Sequence, residues 1–262
     1  MKRLTLALLS LCALCLGAAE KLRITDSTGS EGRAILRLAA ELGQRHGWEI
    51  SIHSLDASAA LDKLDAGETD LVLVNDSDLP AGRHAASSRY STAAYIAVVN
   101  RKNPLRSMGA ADLKMIFGIP RPKWELVGGS AADIHRLAVR ARNERFIGEK
   151  ILNLTMPLRG IFILDTAEEA FTLAENDPEV LFWGTFSSEL PTELVAVEVD
   201  GIAPTRSNIR SGRYPFSVRR FAVLPAAPSA AARKFLRMLG SGAFAKMLED
   251  DGELAELPDA PK

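Results

Sequence analysis

The run Asp26-Ser27-Thr28-Gly29-Ser30 carries an acid, three hydroxyls and a glycine between a short strand and a helix. Such a turn presents unpaired backbone N–H groups and the positive end of a helix dipole, which suits it to an anion. The hydroxyls of Ser27, Thr28 and Ser30 add donors, although the same groups also serve as ordinary helix N-caps. Asp26 opposes a simple anion site, because an ionised carboxylate repels an anion unless the two share a proton. A second group is basic: Arg136, Arg140, Arg142 and Arg145. Arg140 and Arg142 fall where a strand gives way to a helix starting near Asn143, and a guanidinium there can grip an oxyanion through two parallel hydrogen bonds. The competing reading is a solvated basic face. A third group, Asn75-Asp76-Ser77-Asp78, follows a buried apolar run, and ligands of open α/β sheets bind beyond the carboxyl ends of strands. Its acid spacing invites calcium, but the glycine and terminal glutamate of such a loop are missing, so no metal is expected.

Other chemistry has little to stand on. The chain holds no P-loop, no G-x-S-x-G elbow and no H-E-x-x-H, and its four histidines are scattered. With no nucleophile and base to pair, neither enzymatic activity nor a cofactor is expected. Lys and Arg number 32 against 33 Asp and Glu, for a formal net charge of -1. This balance lacks the basic excess of a nucleic-acid binder. Lys2-Arg3, the apolar run Leu4 to Leu16 and the small residues Gly17-Ala18-Ala19 read as an export signal over residues 1–19, cleaved after Ala19. Both cysteines, Cys12 and Cys15, lie inside it, so the mature chain would have no thiol or disulfide. No later stretch is apolar and long enough to span a membrane. The expected location is the periplasm.

The elements that must position these groups alternate. Strands are expected over Leu22 to Thr25, Glu49 to Ser54 and Leu71 to Val74. Helices are expected from Ala34 to His46, where Gly47 stops the first, and from Ala57 to Ala66. This β-α-β-α-β order implies a parallel sheet covered on both faces. Further strands are expected at Tyr95 to Asn100, Ile134 to Arg140, Val180 to Trp183, Leu194 to Val199 and Arg219 to Leu224. Further helices are expected at Ala110 to Phe117, Asn143 to Leu152, Ala167 to Glu175, Ser229 to Leu239 and Ala243 to Glu249. No repeat or low-complexity linker interrupts them, which fits two lobes joined by crossing strands.

Several segments together resemble the phosphate-binding proteins of bacterial ABC importers. Val199-Asp200-Gly201-Ile202-Ala203-Pro204-Thr205 and Asn208 to Ser217 are similar to that family's "DGV-P-T" and "NI-SG-YPLSRP" stretches. Val98-Val99-Asn100 with Asn103-Pro104-Leu105, Leu113 to Phe117, and Trp124 to Gly128 resemble its "VVN-NP", "L-IF" and "W-VGG" run. Ile24 to Thr28 resembles "ITGSTT", and Ala66 to Asp70 resembles "NGEAD". The resemblance implies a type II periplasmic binding protein fold. In it, each of two lobes is a mostly parallel sheet flanked by helices, and crossover strands form the hinge. Lobe 1 would span 20–95 plus 200–262 and lobe 2 would span 96–199, with a ligand in the cleft and closure on binding. Carried over by position, it implies ligand contacts from Ser27, Thr28, Asn75, Asp76 and Arg140, and the expected cleft adds Gly29, Ser58, Arg142 and Asn143 beside them. The implied function is capture of a small anion, a phosphate-like oxyanion among the candidates, for an ABC permease. The departures are Asp26 for the family's glycine, Asp56 to Ala60 for its "GSG-G" loop, and a shortened loop after Arg140 that lacks "SGT". They motivate an alternative: a binding fold that has lost its ligand and serves as a periplasmic interaction or sensory module.

Overall fold

The computed structural model describes residues 20–29, 33–82, 87–139, 160–187 and 189–256. The expected export signal and the helix expected at Asn143 to Leu152 lie outside them. The described elements are, in order, β1 (Lys21–Asp26), α1 (Arg33–His46), β2 (Glu49–Ser54), α2 (Ala57–Asp65), β3 (Leu71–Asn75), β4 (Ser87–Asn100), β5 (Ser107–Met108), α3 (Ala110–Gly118), β6 (His135–Val139) and β7 (Phe162–Leu164). The chain continues through α4 (Ala167–Asn176), β8 (Val180–Thr185), β9 (Leu194–Ala196), β10 (Glu198–Val199), α5 (Arg206–Arg210), β11 (Ser217–Val223), α6 (Ala230–Leu239), α7 (Gly242–Asp250) and β12 (Glu253–Ala255).

Local chemistry accounts for most of these limits. Ala34, Ile35, Leu38 and Leu42 recur at helical spacing and form the buried stripe of α1. Gly47, in the left-handed region at φ 66°, lets the chain leave the helix for β2. All five residues of β3 are buried, as a central strand covered on both faces requires. Asp56, Thr166, Ser229 and Ser241 each cap a helix by accepting a backbone N–H three residues on.

The strand order shows two halves of one design. In the first half, β2, β1 and β3 run parallel, β11 joins β3 antiparallel and β4 joins β11 antiparallel. In the second, β7, β6 and β8 run parallel, β4 joins β8 antiparallel and β9 joins β4 antiparallel. β4 belongs to both: it pairs with β11 over Ser87 to Ala94 and with β8 over Tyr95 to Val99. Phe216 accepts the Tyr95 N–H at 3.0 Å just before β11 begins, so the chain returns to the first half alongside β4. Two antiparallel stretches therefore join the halves. A core around Phe117, Trp124, Phe182 and Trp183 fills the second half, and a core around Leu38, Trp48, Phe235 and Phe244 fills the first.

Several elements depart from the sequence expectation. β4 begins at Ser87 rather than Tyr95, because Ser88, Arg89, Ser91 and Thr92 look like loop residues. Pairing with β11 runs along the whole stretch, and β12 adds a second partner at Ser91 and Thr92, which are buried, while Ser88 stays exposed and Arg89 half-buried. The single strand expected at Leu194 to Val199 is two short ones, β9 on β4 and β10 on β5. The short elements β5, β7, α5 and β12 were not expected at all.

β1 is also tied to the approach to β3. Asp70 accepts from the Arg23 backbone N–H at 2.8 Å, from Nε at 3.1 Å and from Nη2 at 3.0 Å. The hydrogen bonds from Arg23 hold the Asp70 carboxyl below its usual range, against the opposing effect of partial burial. A lowered folded-state pKa stabilises above the unfolded value, and that stabilisation is lost as pH falls through the folded one. Asp70→Asn is expected to cost about 1 kcal/mol at neutral pH, with the difference from wild type vanishing in acid. Urea denaturation across a pH series measures it. A cost independent of pH would contradict the assignment.

Candidate functional site

Between the halves lies a cavity of about 400 Å³. The first half contributes the start of α1 at Arg33 and Ala34, Tyr90 of β4, Arg220 of β11, and Glu253 of β12. The second half contributes Thr166, Ala167 and Phe171 from the start of α4 and Trp183 and Gly184 from β8. Both helices thus begin at the cavity. At α4 the capping is internal: Thr166 Oγ1 accepts the Glu169 N–H at 3.2 Å, and Glu169 Oε2 accepts the Asp165 N–H at 3.1 Å. Trp183 is fixed in its wall by edge-on contacts with Phe216 at 5.0 Å and Phe117 at 5.9 Å.

One wall carries a buried ion pair. Arg220 is 3% exposed and Glu253 is 8% exposed. Arg220 Nη1 donates to Glu253 Oε1, and the Ser91 hydroxyl donates to Glu253 Oε2 at 2.8 Å. Gly252 makes this pairing possible. Its φ of 75° turns the chain from α7 into β12, and a Cβ there would lie 2.7 Å from the Phe186 carbonyl oxygen. Burial pulls the Arg220 pKa down, but Glu253, with Tyr90, Tyr95 and Asp26, outweighs it and holds the guanidinium charged. Arg220 Nε has no hydrogen-bond partner among the described residues. Burial also pushes the Tyr90 phenol well above its ordinary range.

The sequence-expected residues fall into three groups. Asp26, Ser27, Thr28 and Asn75 come together where β1 and β3 end. Ser27 donates its hydroxyl and its N–H to Leu73 O at 2.8 and 2.9 Å. Asp26 Oδ1 accepts the Thr28 N–H at 2.9 Å and the Thr28 hydroxyl at 2.7 Å. Asn75 Nδ2 donates to Thr28 O at 3.0 Å. Gly29 follows at φ 66°. Burial raises the Asp26 carboxyl, and the two bonds from Thr28 and the charge of Arg220 oppose that rise. Ser58 and Asp76 form the second group and stand on the surface side: Ser58 is exposed in the first turn of α2, and Asp76 pairs with Arg219 Nε at 2.8 Å. The third group, Arg140, Arg142 and Asn143, lies outside the described residues, as does Arg145.

Arg136, read as part of a basic cluster, is instead core. It is 1% exposed and donates to the carbonyls of Ile116, Ile119 and Pro120 at 2.8 Å and of Gly160 at 3.1 Å. Ser27, Thr28, Ser58, Asn75 and Asp76 are not among the residues lining the cavity. Sequence reasoning missed Arg220, Glu253, Tyr90 and Trp183. One signal was present: Arg219-Arg220 inside an apolar extended run, where strand alternation sends one of the two to the buried face.

Two α/β halves of identical strand order, joined by antiparallel crossings around an interlobe cavity, define the type II periplasmic binding protein fold. Solved structures of that fold are similar to this chain over nearly its whole length. A possible phosphate-binding protein from Planctomyces limnophilus aligns at TM-score 0.75 and 15% identity, covering 92% of this chain and 94% of that one. An ABC-type phosphate transport receptor from Vibrio cholerae aligns at 0.67 and 18% identity, covering 90% and 100%. PstS from Borrelia burgdorferi aligns at 0.68 and 15% identity, covering 90% and 98%. No family model matches the chain, and neither does any curated protein.

Proposed function

We propose that this chain is an exported solute-binding protein that holds a small solute in the cavity between its halves and passes it to a membrane importer. The carrying observation is the cavity itself. Both halves line it, it holds about 400 Å³, and small-molecule sites run from roughly 300 to 1,000 Å³. Its wall combines aromatic rings with a buried arginine, the mixture of apolar surface and a few fixed polar groups that such sites use. The similar structures from Planctomyces limnophilus and Vibrio cholerae, described as phosphate proteins, support transport as the setting. Among the described residues no helix is long and apolar enough to cross a membrane; the resemblance to ABC-importer proteins is what implies a separate permease.

The ligand implied by the resemblance is a small anion, and the cleft expected from the sequence would hold it with Ser27, Thr28, Gly29, Ser58, Asn75, Asp76, Arg140, Arg142 and Asn143. At the 26–28 turn the geometry favours something else, because the Thr28 donors already have an acceptor in Asp26. That same observation favours a second reading, a binding fold that takes no solute and works as an interaction or sensory module.

A thermal-shift panel of oxyanions, carboxylates, amino acids, amines and sugars separates the two. At a hundredfold excess over Kd a ligand adds about 2.7 kcal/mol, or roughly 5–10 °C in Tm for a domain of this size. A shift of that order with at least one organic solute is the expected result. No shift with any compound, together with recovery of a protein partner by pull-down, would establish the second reading instead.

A further inference from the structure

We propose that the unused edge of the Arg220 guanidinium receives the carboxylate of an organic solute, so that the cavity takes compounds with a single carboxylate head and an apolar body. The inference deepens, and rests on, the solute-binding reading above. Arg220 lines the cavity and is 3% exposed. Among the described residues its side chain makes one hydrogen bond, from Nη1 to Glu253 Oε1. Nε is buried without a partner there, and Nη2 donates to none of those residues. Nε and Nη2 form one edge of the guanidinium plane, and their two parallel N–H groups match the two oxygens of a carboxylate. A buried donor without an acceptor costs stability, so an unused edge on a cavity wall points to an acceptor that arrives with a ligand.

The same contacts hold that edge in place. Glu253 takes Nη1 with one oxygen and the Ser91 hydroxyl with the other, at 2.8 Å. Arg220 stands opposite Ser91 in the ladder and Glu253 opposite Ala93, so three paired strands fix the guanidinium before a ligand arrives. The second half supplies apolar surface to the same cavity from Phe171, Trp183 and Phe186. Phe171 is set edge-on to Phe182 at 5.5 Å. The head of the solute would thus rest on the first half and its body on the second. Charge limits the head to one carboxylate. Asp165, Glu168, Glu249, Asp250 and Asp251 also line the cavity, with Glu249 paired to Arg206 and Asp250 and Asp251 to Arg37. A second negative charge, on phosphate or a dicarboxylate, would be repelled by these groups. An ammonium elsewhere on the solute would not, so amino acids fall inside the class.

Calorimetric titration with matched pairs tests the head directly: hexanoate with hexanamide, phenylacetate with phenylacetamide, and phenylalanine with phenethylamine, beside succinate and inorganic phosphate. At least one carboxylate is expected to bind wild type saturably, and at least about tenfold more tightly than its matched compound, than succinate and than phosphate. Arg220→Lys keeps a positive charge beside Glu253 but removes the fork. It is expected to weaken that carboxylate by about tenfold and to leave the matched compound unchanged. Combining Arg220→Met with Glu253→Met removes the pair without stranding a charge, and should bring the carboxylate down to the affinity of its matched compound. Circular dichroism checks that each variant is folded, and the matched pairs in wild type decide the question should both variants fail to fold.

A matched amide or amine that binds wild type as tightly as its carboxylate overturns the proposal, and so does carboxylate binding that survives unchanged in the folded variants. Tightest binding by phosphate or succinate overturns the single-carboxylate class. Silence from every carboxylate, beside a response to an amine, a sugar or another compound of the thermal-shift panel, overturns it too. Each of these results leaves the solute-binding reading standing. Silence from every compound removes that reading and the role of Arg220 with it.

Discussion

Glu253→Ala will lower the unfolding free energy by about 3–5 kcal/mol. The cost comes from what remains. Arg220 stays in the wall between the halves with its Nη1 donor unpaired, and the Ser91 hydroxyl loses the acceptor it holds at 2.8 Å. A buried pair is weak evidence of net stabilisation, because desolvation offsets most of the attraction, but a half-pair leaves a charge with neither partner nor water. Replacing both residues with methionine should therefore cost less than the single alanine change. Urea denaturation with an unchanged m-value tests the comparison. A single-variant cost below about 1 kcal/mol would mean that water reaches Arg220 from the cavity.

Arg136→Met is the other large effect, about 3 kcal/mol or more. Its guanidinium is the common donor for the end of α3, at Ile116, Ile119 and Pro120, and for Gly160 ahead of β7. Methionine fills much of the same volume and supplies no N–H, so four carbonyls lose a donor at once. Gly160 tolerates no larger residue there, since a Cβ would stand 2.8 Å from Arg136 Nη2. The same denaturation experiment applies, and Arg136→Lys should recover little because an ammonium cannot span the fork. Full stability in Arg136→Met would contradict a clamping role.

These two arginines show why the scaffold was easier to read than the site. The segments that carried the family resemblance are scaffold. Asn100 Nδ2 bonds the Ala174 and Glu175 carbonyls at the end of α4, and Asn103 Nδ2 bonds Pro178 O. Gly128 ends its turn at φ 80°, and Gly129 lies where a Cβ would come within 2.8 Å of Trp124 Cβ. Asp200 and Gly201 take φ 52° and 73° in a two-residue turn, and Asp200 Oδ1 receives the Ala110 N–H at the start of α3. Turns, caps and close approaches constrain residue type locally, so a single sequence displays them.

The cavity obeys no local rule. Its walls come from positions as far apart as Arg33 and Glu253, and Arg220 meets Glu253 only because β11 and β12 both pair with β4. In sequence, Arg136 and Arg140 look alike, yet burial makes one a core clamp. Asp26 was legible as an obstacle to anions. Its hydrogen bonds to Thr28 were not, because they depend on how the turn closes.

Ala167 offers the most direct test of the central claim that solute binds between the halves. It lines the cavity at the first turn of α4, where a larger side chain enters the cavity without disturbing either core. Calorimetric titration of wild type and Ala167→Trp with the best solute from the thermal-shift panel measures the effect. Saturable one-to-one binding in wild type, lost in a variant of unchanged stability, is the predicted result. Equal binding by both proteins would place the solute elsewhere and contradict the account.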